Sequence, residues 1–168
     1  MPTRKKAKAA AGSSRELLRH AVATLAYRGG KALRGAPESF SDFRAGNTTR
    51  TPGQILAHVG DLFDWAVSLA KGAQKWHNSE PLPWEKGVER FFAGLEAFDA
   101  CLKSKKPLGC PAEKLFQGPV ADALTHVGQI SMLRRLAGSP VRAENYLQAG
   151  IATGRVGSKQ TAPKVEFD

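Results

Sequence analysis

Cysteine is scarce in this chain: Cys101 and Cys110 are the only two in 168 residues. Their spacing fits neither a CxxC redox pair nor a zinc knuckle, so neither chemistry is expected of them. Such sparing use of cysteine points to a reducing compartment, and a cytoplasmic location is expected. The Asn47-Thr48-Thr49 sequon then carries no weight. Long apolar runs are missing too, and no stretch reaches the roughly 18 residues that a membrane span needs. The opening MPTRKKAKAAAGSS is basic and small, with no apolar h-region, so it does not read as a secretory signal. Residues 1–13 are expected to form a disordered basic tail. Several catalytic signatures are also absent. There is no GxSxG elbow and no HExxH. Gly29-Gly30-Lys31 looks like the end of a phosphate loop, but Ala32 stands where Ser or Thr is needed, and the earlier glycine is missing. Neither cysteine has a histidine near it in sequence, so nothing specific supports a thiol nucleophile.

What is present is an ordinary globular composition, 42% apolar and 24% charged, in a length that fits one domain. The net charge of +10 raises the question of nucleic acid. Four of the positive charges, Arg4, Lys5, Lys6 and Lys8, fall in the presumed tail. The others are scattered, with no interleaved aromatics and no reader motif, which argues against dedicated nucleic-acid recognition.

Four amphipathic segments carry the organisation. Leu17, Leu18, Ala21, Leu25 and Ala32 give helical periodicity from about Ser14 to Leu33. The second segment has a clear start: Thr51 as N-cap, Pro52 at the first helical position, and Gln54 completing a capping box. Its stripe is Ile55, His58, Leu62, Trp65 and Leu69, and it ends near Lys71-Gly72. The third, from about Trp84 to Lys103, has the most regular apolar face in the chain, which reads as core. The fourth is bounded by Gly118-Pro119 and by Gly138-Ser139-Pro140. No strand alternation is visible. The expected fold is all-α, a four-helix bundle over residues 14–140, with long connecting loops and an irregular C-terminal extension over 141–168 packed on it.

Two of the four histidines stand out. His20 sits beside Arg19 and His77 lies in a polar loop, and both read as surface residues. His58 shares the inward face of its helix. His126 borders the Leu124/Val127 stripe, with Asp122 one turn before it. His58 is six residues beyond Pro52, and His126 is seven beyond Pro119. At about 1.5 Å per residue both lie roughly 10 Å into their helices. Parallel helices would bring the rings to one level; antiparallel ones would not. Together the three side chains offer two nitrogens and an oxygen, a workable set for a divalent metal with a position left open. The competing explanation is structural: an acid in the first turn of a helix is favoured by the helix dipole alone.

TPGQILAHVGDLFDW on the second helix, ALTHVGQISMLRRLAG on the fourth and ENYLQAGIATGRVG after it together resemble the DinB/YfiT-like superfamily of four-helix-bundle metalloenzymes. The last of these is similar to the tail of one bacterial branch. The resemblance implies a metal, nickel or zinc, held by three side chains. By position these are His58, His126 and, where the family usually has histidine, Asp122. A mycothiol-dependent branch is similar in placing a carboxylate there. Gln129 and Asp61, each one turn beyond a ligand, become candidates for orienting the imidazoles. The implied activity is transfer of a low-molecular-weight thiol onto an electrophilic small molecule, and the implied assembly is a homodimer. The alternatives are a helical-bundle binding or stress protein without metal, and weak nucleic-acid association through the basic tail.

Overall fold

The structure, a computed structural model, describes the backbone of residues 4–167 and the side chains of residues 14–167. It is an all-α helical bundle: α1 (Arg4–Leu33), α2 (Pro52–Ala70), α3 (Trp84–Lys103), then α4 (Ala112–Leu115), a π segment (Phe116–Val120) and α5 (Ala121–Leu136). The last three run on as one rod. The first helix begins ten residues before the Ser14 start read from the sequence. The expected disordered tail falls partly on residues 1–3, which lie outside the described residues. Among the described residues no helix is long and apolar enough to cross a membrane.

Local chemistry explains α2 and α3. The Thr51 side chain accepts from the Gln54 N–H, and the Gln54 side chain accepts from the Thr51 N–H, closing the capping box ahead of Pro52. Gly72 follows the helix with φ of +74°, a left-handed turn that only glycine adopts freely. α2 and α3 pack most extensively on each other, with Phe63, Phe91 and Phe98 fully buried between the helices. Gly29 in α1 leaves room for the Phe91 ring, so the glycine pair that weakens helix propensity lets α1 approach α3.

The fourth helix does not begin at Gly118-Pro119 as its punctuation implied. It begins at Ala112, with Pro111 at the cap, and carries Pro119 inside. A proline there has no N–H to donate, and its ring crowds the carbonyl of residue i−4. The π segment relieves this: the Ala121 N–H reaches back five residues to the Phe116 carbonyl. Gly118 lies against the Trp65 ring, where an added Cβ would stand 3.4 Å away.

The C-terminal segment was expected to be irregular and contains one strand pair, β1 (Ala143–Glu144) antiparallel to β2 (Glu166–Phe167). Two-residue strands are too short to show alternation. Their hold on α1 comes from side chains. The Tyr27 hydroxyl and Lys31 donate to buried Glu144 at 2.7 and 2.8 Å, and Lys31 also donates to Glu166 at 2.7 Å. Burial and the Glu144 carboxylate raise the Tyr27 pKa strongly. Many basic groups are committed in this way. Arg19 pairs with Asp99 at 2.9 Å, and buried Arg134 donates to the carbonyls of Ala32, Arg34 and Ser139.

Candidate metal centre

α2 and α5 bring His58, Asp122 and His126 together. Each imidazole Nε2 stands 3.4 Å from a different oxygen of the Asp122 carboxylate: His58 from Oδ2, His126 from Oδ1. The ring centroids are 4.8 Å apart and nearly perpendicular, at 85°. One ligating atom from each of the three lies within 4.8 Å of the others, so the group could hold a metal ion. The His126 side chain is 12% exposed, His58 21% and Asp122 45%, so the carboxylate forms the open side.

Two features fit a metal. First, 3.4 Å is too long for a good N–H···O hydrogen bond. It is about the separation of two donors that share an ion at bond lengths of ~2.1 Å and a tetrahedral angle. Second, the His126 Nδ1–H donates to Gln129 Oε1 at 2.7 Å. A proton held on Nδ1 leaves the Nε2 lone pair facing the cluster. Gln129 is therefore placed as the sequence spacing indicated. The dipole explanation for Asp122 loses its basis. With nine helical residues of α4 and the π segment ahead of Ala121, Asp122 stands inside a rod. The depth count from Pro119 loses its reference point for the same reason, yet the rings meet.

Asp61 does not orient His58. It is 3% exposed and turned toward α3, where Arg90 donates to its Oδ1 at 2.7 Å. Ser79 adds a backbone N–H at 2.9 Å and a hydroxyl at 2.7 Å. Burial pushes the Asp61 carboxyl up, but the hydrogen bonds from Arg90 and Ser79 outweigh it and leave its pKa lowered. His77, read as a surface residue, joins this group: its Nε2 lies 3.2 Å from Asp61 and 3.3 Å from Asp64. Asp61, Asp64 and His77 form a second three-residue group with metal-like composition. The guanidinium of Arg90, 2.7 and 2.6 Å from the two carboxylates, already supplies the positive charge.

Sequence reasoning missed Trp76. The loop between α2 and α3 lays its ring 5.7 Å from His58 and 5.7 Å from Trp65. Ser79 and His77 tie the same loop back to Asp61. The only signal was an aromatic beside a histidine in a polar stretch. His20 is exposed and faces Thr153 at 3.3 Å. Burial raises the pKa of the Cys110 thiol, the opposite of what a nucleophile needs.

Two cavities meet at the triad. One of about 730 Å³ is bounded by His58, His126 and Gln129. Another of about 350 Å³ is bounded by His58, Asp122, Trp65 and Trp76. His58 borders both. No family model matches the chain, and neither does any curated protein or solved structure.

Proposed function

We propose that the protein is a metal-dependent enzyme in which His58, Asp122 and His126 hold a divalent ion, nickel or zinc. We read it as a thiol S-transferase of the kind its helix motifs resemble. The observation that carries the reading is the meeting of donors 64 residues apart in sequence, His58 and Asp122, with His58 on the wall of a 730 Å³ cavity. That volume is in the range of small-molecule sites, roughly 300–1,000 Å³. A divalent ion at such a site stabilises the thiolate of a low-molecular-weight thiol at neutral pH. The chain's own contributions are specific. Gln129 fixes the His126 tautomer. The Trp76 ring covers one flank of His58 and limits water there. The exposed edge of Asp122 leaves a way in for substrate.

Elemental analysis of purified protein, followed by titration with Ni²⁺, Zn²⁺, Fe²⁺ and Mn²⁺, tests the metal. Wild type should bind one ion per chain. A wild type that binds none of these more tightly than the His58→Ala/His126→Ala double variant ends the proposal. Thiol transfer is then assayed with loaded protein, a thiol and an electrophile, against the same variant.

A further inference from the structure

The larger cavity beside the triad is asymmetric in charge. Among the residues that bound it, the only formally charged side chain besides the histidines is Arg50. Asp122 borders the other cavity. Arg50 is exposed, and among the described residues no carboxylate pairs with it. That sets it apart from Arg19, Arg90 and Arg134, which are tied into the fold. Its backbone is held on both sides. Thr49 closes a turn onto Gly46 with a 2.8 Å hydrogen bond, and Thr51 is the buried N-cap of α2. Facing it are Ile55, Leu133 and two outward apolar side chains of α5, Met132 and Leu136, which are 59% and 58% exposed. Two large apolar groups one turn apart, opposite an unpaired guanidinium, make a surface with an oily side and a cationic side.

We propose that this cavity binds a small carboxylate with an apolar chain, its headgroup on Arg50 and its chain along Met132 and Leu136. One guanidinium fork matches one carboxylate. A phosphate dianion would leave a charge unmet, and a neutral chain would leave Arg50 unused. The inference deepens the metal-enzyme reading, because His58 and His126 form a wall of the same cavity.

Calorimetric titration tests it with octanoate, octanol and octyl phosphate as probes on metal-free protein. Octanoate should bind wild type at least tenfold more tightly than octanol does. Arg50→Gln should weaken octanoate at least tenfold and leave octanol unchanged. Arg50→Lys should recover part of the loss. Equal octanoate affinity in wild type and Arg50→Gln overturns the proposal, and so does a tenfold preference for octyl phosphate. Zn²⁺ binding is measured separately on wild type and His126→Ala. Arg50-dependent octanoate binding without binding of Zn²⁺ or of the other three ions titrated above sustains this inference and removes the metal reading. Zn²⁺ binding with octanoate indifferent to Arg50 does the reverse.

Discussion

Two groups of side chains in this molecule have nearly the same composition and opposite character. His58, Asp122 and His126 offer donors within 4.8 Å of one another, as do Asp61, Asp64 and His77. The difference is a single cation. Arg90 from α3 reaches both carboxylates of the second group, and Ser79 completes the shell around Asp61. That group is satisfied by the protein alone, and it fastens the loop after α2 to the bundle. Among the described residues no such cation reaches the first group. Its contacts to Asp122 are long, its one short hydrogen bond leads outward to Gln129, and it borders two cavities. Residue type therefore does not identify a metal site. What matters is whether the protein has already neutralised the donors.

The largest expected effect breaks the comparison at the first group. His126→Ala should weaken Zn²⁺ or Ni²⁺ binding by more than about 100-fold, since site energies of ~10–16 kcal/mol shared among about four ligands give several kcal/mol each. Asp61→Ala should leave metal affinity unchanged. Metal titration of both variants checks the pair; an equal loss in each would erase the distinction. Stability should show the opposite ranking. Asp61→Ala leaves Arg90 only Asp64 of its two carboxylates and removes charge-assisted hydrogen bonds from Arg90 and Ser79, at about 2–3 kcal/mol in urea unfolding. Asp122→Ala should lose under about 1 kcal/mol, because its side chain is 45% exposed and its contacts are 3.4 Å.

How much of this was legible follows from how local each feature is. The α2 capping box is written in four consecutive residues, Thr51 to Gln54, and the α3 stripe in one helix, so both could be read directly. Pro119 misled because proline punctuation is a local rule, while the upstream helix and its π segment pack against Trp65 from α2. The strand pair joins residues more than twenty apart in segments too short for a period. His58 and His126 were singled out by their helix faces, and the structure brings them together; the Gln129 contact to His126 follows from helix spacing. Asp61 shares that spacing, and its true partner, Arg90, comes from another helix. Helical spacing tells which groups can meet on one helix, and it is silent about what a neighbouring helix supplies.

A smaller effect sharpens the role of Gln129. Gln129→Ala frees His126 to take either tautomer and should lower metal affinity about tenfold, the low end for residues that orient ligands. Its folding stability should barely move, because Gln129 is exposed. The second group should instead appear in the pH profile of stability. Asp61 is lowered in the folded state, so its contribution is present above the ordinary carboxylate range and is lost as pH falls through its folded value. Urea midpoints of wild type should therefore drop in acid, and the drop should be smaller in Asp61→Asn.

The smallest expected effect joins the two groups. His77 is 43% exposed, so His77→Ala should cost under about 1 kcal/mol of stability. Yet His77 adjoins Trp76 in the loop that lies on His58, and its contacts to Asp61 and Asp64 help hold that loop on α2. Bound Ni²⁺ should quench Trp76 fluorescence, because the ring centroid is 5.7 Å from that of His58. Trp76→Phe should remove most of that quenching and identify its source among the three tryptophans. His77→Ala should reduce it, since a loosened loop holds the ring near His58 less of the time. If His77→Ala leaves both quenching and metal affinity at wild-type values, the two groups are independent neighbours. If quenching falls while metal affinity holds, the satisfied cluster positions the wall of the open one, and the Arg90-neutralised group acts on the site without touching the metal.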